Sequence, residues 1–122
     1  MGEHHHMSKI IRTEPNAVLS KAVEYHGFIF TQGCVAADAG KDIAGQTAEV
    51  LAELDAILEA HGTDNTRLLQ AQVFLKNMSD RPAVNELWVK WLPAGGAPAR
   101  ACVQAELADP RHLVEIMVIA TK

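Results

Sequence analysis

The sequence has few cysteines and no long apolar run, and each shortage excludes a class of protein. Cys34 and Cys102 are the two cysteines, too few for a disulfide framework and without the C-x-x-C spacing of a redox site. No apolar run approaches the roughly 20 residues of a membrane span, and the start lacks a signal-peptide pattern. We therefore expect a cytoplasmic protein with reduced thiols and no membrane segment.

Basic charge is scarce as well, and this points away from nucleic acid as a partner. Eleven lysines and arginines stand against 15 acidic residues, which gives a net charge of −4. A nucleic-acid surface usually shows as a clustered excess of basic side chains. We expect no nucleic acid as the main partner.

Six histidines are present, but three of them fall in residues 1–7, MGEHHHM, which are typical of an expression tag. The other three, His26, His61 and His112, share no ligand spacing, so we expect no metal centre. Without the tag, residues 8–122 form one domain, long enough to bury a single core.

Hydrophobic periodicity predicts short strands and two amphipathic helices. The first half contains, in chain order, a β stretch at Ile10 and Ile11, residues 17–25, a His26-Gly27 hairpin turn, the run Phe28–Thr31, and a helix from Asp42 to a stop at Gly62. The second half contains an alternating strand at 69–75, a helix from an N-cap at Ser79 to Pro93, and residues 99–107 and 113–120, joined by a turn at 108–111 into a closing hairpin. We expect an α+β fold in which the helices cover one face of the sheet.

The last predicted strand is apolar on both faces. Its two alternating sets are Leu113, Met117 and Ile119 on one face and Val114, Ile116 and Val118 on the other. Two helices on one face of the sheet would leave the second set of apolar side chains in water. We infer that a second subunit covers that face.

Three chemically useful side chains share one face of the strand at 99–107. Period-two alternation places Arg100, Cys102 and Gln104 together. If the hairpin folds about residues 108–111, Glu115 lies opposite Gln104 and, on the diagonal, near Cys102. This arrangement predicts an arginine, a thiol, an amide and a carboxylate on one surface.

A guanidinium is suited to binding a carboxylate, because its fork of donors matches two oxygens, and a nearby glutamate can move protons or orient a water. The pattern is therefore consistent with a site for a small carboxylic acid. It is also consistent with a structural ion pair between Arg100 and Glu115, or with solvated side chains on an outer face. Spacing alone leaves these alternatives open.

The remaining candidates have simpler interpretations. Cys102 has no histidine placed to act as its base, so it is predicted to be a buried, inert thiol. Asn85 is either a surface residue or a hydrogen-bonding residue on the second helix, and Gln32 can simply end a strand. Trp88 and Trp91 lie on one helical face, which is typical of core or interface and not of a stacking platform.

Residues 97–120, APARACVQAELADPRHLVEIMVIA, resemble the C-terminal signature of the RidA/YjgF family of imine deaminases, once called translation initiation inhibitors. In that signature, Pro-x-Arg-x-Cys-Val is followed by a Val-Glu-Ile strand that ends in Ala. The resemblance extends over nearly the whole chain, in family order, through the segments FIFTQG at 28–33, QT at 46–47, VFL at 73–75 and AVN at 83–85.

The resemblance implies a chorismate mutase-like fold: a mixed sheet with two helices on one face, in a homotrimer whose sheets face inward and whose sites lie in clefts between subunits. It also implies a role for each site residue. Arg100 would bind the substrate carboxylate, Cys102 would line the pocket and contribute backbone groups, and Glu115 would position the attacking water. Asn85 would lie at the edge of the same cleft.

Two positions depart from well-known members of the family. In those members a tyrosine stands near the start of the second strand, and a serine precedes the glycine that follows Phe-Thr or its equivalent. At these two positions this chain has Leu19 and Gln32. Both changes alter the polarity of the pocket, so the preferred substrate is expected to differ from 2-aminoacrylate and 2-iminobutanoate. The carboxylate-binding and water-positioning residues remain, which favours retained deaminase activity.

The reaction implied by the resemblance is hydrolysis of a 2-imino acid to a 2-oxo acid and ammonia, and it needs no metal or organic cofactor. Two other functions compete with it. One is a non-enzymatic module that binds small carboxylates in the same intersubunit cleft. The other is an RNA-directed inhibitor of translation, which the acidic charge disfavours.

Overall fold

The computed structural model describes residues 9–122 and shows six β-strands and two α-helices. The expected tag at residues 1–7 lies outside the described residues. In chain order the elements are β1 (Ile11–Thr13), β2 (Ala22–Tyr25), β3 (Phe28–Thr31), α1 (Ile43–Ala60), β4 (Leu68–Leu75), α2 (Arg81–Trp91), β5 (Ala99–Gln104) and β6 (Val114–Thr121). The predicted α+β class is confirmed. Within residues 9–122, neither helix has both the length and the apolar character needed to cross a membrane.

The strands form one mixed sheet in the order β1-β2-β3-β6-β4-β5. All neighbouring strands are antiparallel except β4 and β5, which are parallel. Parallel neighbours need a long crossover connection, and α2 supplies it. The crossover places β5 at the edge of the sheet, next to β4.

The predicted closing hairpin between residues 99–107 and 113–120 is wrong. β4 lies between β5 and β6 and pairs with both of them. The turn at 108–111 does form, with the N–H of His112 donating to the carbonyl of Asp109 at 3.0 Å. The chain then continues past β4 to reach the centre of the sheet. The signal for this was present in the sequence, because β6 is apolar on both faces, as a central strand is, and β5 carries mixed polar residues, as an edge strand does.

The core lies between the two helices and one face of the sheet. The side chain of Asp42 caps α1 by accepting from the Gly45 N–H at 2.9 Å. Apolar residues three or four apart on α1 are then fully buried, among them Val50, Leu54 and Leu58. Fully burying each such side chain contributes about 1.5 to 3 kcal/mol. On the sheet side they meet buried strand residues, including Ile29, Val73, Ile116 and Val118.

The second helix begins later than predicted. Ser79 lies in a 3₁₀ turn, Met78–Asp80, and α2 starts at Arg81 with Pro82 in its first turn. A proline is favoured there, because the first N–H groups of a helix have no partner within the helix. The predicted apolar face is confirmed: Val84 and Trp88 are buried, and Leu87 and Trp91 pack against the core.

The first half of the sheet follows the prediction with two local differences. The His26-Gly27 turn is confirmed, and both residues adopt positive φ, 50° and 81°, as a two-residue hairpin turn requires. The strand within residues 17–25 starts only at Ala22. Leu69 lies at a register shift between β4 and β6 and is exposed, so it does not share a face with Ala71.

The face of the sheet opposite the helices, which we call the open face, carries large apolar side chains. Tyr25, Phe28, Phe30 and Val103 are each more than 40% exposed on it. Other open-face side chains are half-buried, namely Phe74, Met117 and Ile119. The predicted two-sided apolar character of the last strand is thus confirmed.

Candidate functional site

Arg100 lies on β5 and points to the helix-covered side of the sheet. Its neighbour in register is the buried residue Ala71 of β4. Its Nη2 donates a 2.7 Å hydrogen bond to Oδ1 of Asn85 on α2. Its Cζ lies 5.7 Å from the ring centroid of Trp88, one turn further along the same helix. Two side chains of α2 therefore fix the guanidinium.

The charge of Arg100 has no carboxylate partner within residues 9–122. The alternative of a structural Arg100–Glu115 ion pair within one chain is therefore wrong. A half-buried cation is partly desolvated, and an anion that reaches it gains charge-assisted hydrogen bonds. Arg100 is suited to binding an anionic group.

Cys102 and Gln104 share the face of Arg100, as the alternation predicts. They stand in register with Val73 and Leu75, both buried beneath the helices. Cys102 is half-buried against the core, and Gln104 Nε2 donates to the carbonyl of Lys76 at 3.2 Å. This side of β5, with Asn85, is hereafter the guanidinium half-site.

The predicted position of Glu115 is wrong. It stands in register with Phe74, and not opposite Gln104, so its side chain belongs to the open face. Arg100 and Cys102 belong to the opposite face, and β4 separates the two strands. The error follows directly from the false hairpin, because an inserted strand changes every cross-strand neighbour.

Glu115 instead lies against Gly33, just after β3. A Cβ built on Gly33 would come within 2.8 Å of the carboxyl carbon of Glu115. Paired backbone hydrogen bonds between Cys34 and Ile116, of 2.8 and 3.1 Å, hold the two segments together. Gln32 precedes Gly33 and is half-buried. We call Gln32, Gly33 and Glu115 the carboxylate half-site.

Leu19 is 47% exposed in the loop before β2. The side chain of Asn16 shapes this loop by accepting from the N–H groups of Val18 and Leu19, at 2.8 and 2.9 Å. The loop leads to Lys21, whose carbonyl accepts from the Gln32 N–H at 2.9 Å. Leu19 therefore belongs to a segment tied to the carboxylate half-site.

The structure thus divides the predicted site residues between two faces of one sheet. Arg100, Cys102 and Asn85 lie on the helix-covered side, and Glu115 lies on the open face. A single chain does not bring the guanidinium and the Glu115 carboxylate into one cleft. A site that uses both needs two copies of the chain.

The sequence analysis did not identify two residues that lie at these half-sites, Trp88 and Gly33. Trp88 contacts the guanidinium, and its spacing of three residues from Asn85 was the available signal, because such residues lie on one helical face. Gly33 makes room for Glu115, and nothing in the sequence pointed to that contact.

Gln46 is a third residue whose role the sequence did not reveal. It is fully buried near the start of α1. Its Nε2 lies within 3.2 Å of the carbonyls of Ala39, Lys41 and Arg111, and its Oε1 accepts from the Leu113 N–H at 2.8 Å. One amide therefore joins two loops.

A separate buried polar cluster lies where α1 ends. His61 Nδ1 is 2.9 Å from Glu24 Oε1, His61 Nε2 is 2.9 Å from Thr13 Oγ1, and Lys122 Nζ is 3.0 Å from Glu24 Oε2. Burial alone would raise the pKa of Glu24, but the hydrogen bonds from His61 and Lys122 outweigh it and lower that pKa. The cluster joins β1, β2, α1 and the last residue.

Neither cysteine is arranged as a nucleophile. Burial raises the pKa of the Cys34 thiol to about 12, so this thiol stays protonated. The histidine partners found within residues 9–122 are Glu24 and Thr13 for His61 and the Ala36 carbonyl for His112. His26, the third histidine in this range, lies in the β2–β3 turn with its ring against that of Tyr25, and none of the three imidazoles is hydrogen-bonded to Cys102.

The sequence of this chain matches a family of known proteins. The family model described as Endoribonuclease L-PSP matches residues 10–122. A RutC family protein of Haemophilus ducreyi is 38% identical over 91% of this chain and 95% of its own length. The RutC family protein YoaB of Escherichia coli is 37% identical over 91% of this chain and 96% of its own length.

The architecture agrees with a solved structure as well. A member of the YjgF protein family from Neisseria meningitidis superimposes with a TM-score of 0.91 and is 40% identical, covering 96% of this chain and 98% of its own. The six-stranded mixed sheet with two helices is therefore the architecture of this family.

Proposed function

Because this chain belongs to the endoribonuclease L-PSP family, with the RutC and YjgF proteins, we propose that it is a 2-imino acid deaminase. It hydrolyses reactive enamine and imine intermediates of amino-acid metabolism, which arise when amino acids are dehydrated or oxidised. The products are a 2-oxo acid and ammonia. The observation that carries the proposal is the fixed guanidinium of Arg100, which has no carboxylate partner within residues 9–122.

Arg100 binds the carboxylate of the substrate in this mechanism. Asn85 uses one of the five N–H donors of the guanidinium, so others remain for the two oxygens of a carboxylate. A bidentate contact fixes the plane of the substrate and so the direction from which its imine carbon is attacked. Cys102 lines the same side of the pocket.

Glu115 activates the water. Its carboxylate takes a proton from the water as the water oxygen attacks the imine carbon, and passes it to the nitrogen to give a carbinolamine. It then moves the proton of the carbinolamine hydroxyl to the nitrogen, so that the carbonyl forms as the C–N bond breaks and ammonia leaves. The water supplies the new carbonyl oxygen, so the atoms balance without an oxidant. Gln32 and Leu19 face the part of the substrate that differs between imines.

The mechanism requires a homo-oligomer, and we propose the homotrimer. The guanidinium half-site of one subunit meets the carboxylate half-site of its neighbour. The apolar open face supports this assembly, because exposed aromatic and aliphatic side chains on one sheet face are typical of subunit interfaces. The substrate and a second copy of the chain are therefore the proposed partners.

An assay on a panel of imines tests the proposal. An amino-acid oxidase generates each imine in situ, semicarbazide traps it, and the protein is added at increasing concentration. Faster loss of trappable imine supports the deaminase, and the imine lost fastest identifies the preferred side chain. Arg100→Ala is the matched control. Its addition should leave the rate at which semicarbazide traps the imine close to the rate without protein.

Two other functions give different results in the same experiments. A non-enzymatic carboxylate-binding module binds a 2-oxo acid but leaves every imine trapped at the uncatalysed rate. An endoribonuclease, the activity in the name of the family model, cleaves labelled RNA in a parallel assay. The net charge of −4 favours the small-molecule substrate.

A further inference from the structure

Trp88 forms a platform beneath the guanidinium of Arg100. The guanidinium carbon lies 5.7 Å from the ring centroid, within the range of a cation–π contact. We propose that Trp88 is a positioning residue, which fixes Arg100 for a carboxylate ligand without neutralising its charge. The inference rests on the proposed function for the identity of the ligand.

The platform is rigid. Trp88 is 5% exposed and belongs to the core, and its ring lies 5.3 Å from that of Trp91, centroid to centroid. Trp91 is itself held by a 3.0 Å hydrogen bond from its Nε1 to Oδ1 of Asp55 on α1. Both helices therefore determine where the Trp88 ring lies.

An aromatic ring is suited to this task in a way that an acidic residue is not. A carboxylate beside Arg100 would use the same N–H donors that a ligand needs, and it would cancel the charge. A ring stabilises the cation through its negative face and uses none of the donors in the guanidinium plane. Asn85 fixes one edge of that plane. Together Trp88 and Asn85 orient the guanidinium and leave donors free.

Binding of pyruvate, a simple 2-oxo acid, tests the inference without turnover. Trp88→Leu should raise the Kd for pyruvate roughly threefold to thirtyfold, which corresponds to loss of a partly desolvated cation–π contact. Trp88→Phe keeps a weaker aromatic face and should show a smaller rise. Val89→Ala is the matched control, because Val89 is an apolar residue next to Trp88 on α2 but is 69% exposed, and the Kd of this variant should stay within about twofold of wild type.

The indole N–H signals in a nitrogen–proton NMR spectrum give a second readout. Two tryptophans give two signals, and Trp91→Phe identifies the one from Trp88. Saturation with pyruvate should shift the Trp88 signal, and Arg100→Ala should abolish the shift. A residue with only a packing role would not respond in this way.

The inference is overturned if Trp88→Leu, with a native circular dichroism spectrum and cooperative unfolding, binds pyruvate like wild type. If that variant does not fold, a Trp88 signal unmoved by saturating pyruvate in the wild-type protein overturns it. The proposed function fails separately. If the protein binds pyruvate in a Trp88-dependent way but hydrolyses no imine, the inference about Trp88 stands and the proposed deaminase activity is wrong.

Discussion

The carboxylate of Glu115 occupies the space into which a side chain at Gly33 would project. The φ angle of Gly33 is not in the left-handed region, so its backbone tolerates any residue. Glycine is needed there for room alone. The position of the carboxylate thus depends on a residue that supplies no chemical group.

Gly33→Ala should therefore misplace Glu115 without unfolding the chain. The added methyl would contact the carboxyl carbon at 2.8 Å, so the flexible glutamate side chain must move. A displacement of about 1 Å in a catalytic group can cost roughly 10²-fold in rate, and we expect a fall of that order in kcat for imine hydrolysis. Gly40→Ala, whose methyl would meet Asp38 Oδ1 at 3.2 Å in the loop before α1, is the control. Wild-type kcat in Gly33→Ala would show that the position of Glu115 is unimportant.

Arg100→Ala should remove the carboxylate contact. Each charge-assisted hydrogen bond contributes about 1.5 to 3 kcal/mol, so a bidentate pair corresponds to a loss of roughly 10² to 10⁴ in kcat/KM. Steady-state kinetics on the best imine of the panel measure it. Arg67→Ala, which removes an exposed arginine bound to the carbonyls of Thr121 and Lys122, is the charge-matched control. Unchanged kcat/KM in Arg100→Ala would eliminate the carboxylate contact.

Mixed oligomers test whether the two half-sites come from different subunits. Arg100→Ala and Glu115→Gln should each be nearly inactive, with Glu115→Gln losing about 10² to 10⁴ in kcat because it keeps the shape and removes the base. After the two variants are unfolded and refolded together at equal amounts, about one quarter of the sites should pair an intact Arg100 with an intact Glu115, if each interface joins different surfaces of two subunits. Activity should recover to that fraction. Verified mixed oligomers with no recovery would contradict a shared site.

Cys102→Ala should keep activity within about tenfold of wild type, because the backbone groups at this position remain. A tenfold fall corresponds to roughly 1.4 kcal/mol, which is enough to cover the packing that the smaller side chain loses. Covalent catalysis needs a thiolate and an adjacent base, and the imidazoles of His61 and His112 are engaged elsewhere. Kinetics of the folded variant and mass spectrometry of wild type with substrate check this. Abolished turnover, or a substrate adduct on the thiol, would refute the water mechanism.

The buried Glu24 cluster predicts a pH dependence of stability. Because folding lowers the pKa of Glu24 from its ordinary value of 4.5, its contribution is fully present above that pH and is lost as the pH falls through the lower, folded-state pKa. The free energy of unfolding in urea should thus fall between pH 7 and pH 3. The free energy of unfolding of the Glu24→Gln variant should fall less steeply over the same range. Glu59→Gln, at an exposed position of α1, is the control. If the free energy of unfolding of Glu24→Gln fell with pH as steeply as that of wild type, the cluster would not be a source of the pH dependence.

The helices and most strands could be predicted from the sequence, because their periodicity is local. The shared face of Arg100 and Cys102 followed from alternation within one strand. The position of Glu115 did not, since it depends on which strands are neighbours, and the parallel β4–β5 crossover is a relation between segments about 30 residues apart. The contact of Trp88 with Arg100 depends on the same crossover. Alternation within one strand predicts the sheet face to which a side chain belongs. The residues beside it on that face depend on the strand order of the complete sheet.

Gln46 has a consequence for how the protein opens. Its single side chain joins the loop at 39–41 to the segment at 111–113, which leads into β6. If either segment opens, this buried amide is left with part of its hydrogen bonds unmade, so we expect the two segments to open as one cooperative unit in native-state hydrogen exchange. The loop before α1 and the entry to the central strand therefore gain or lose protection from exchange together, although they lie about 70 residues apart in the chain.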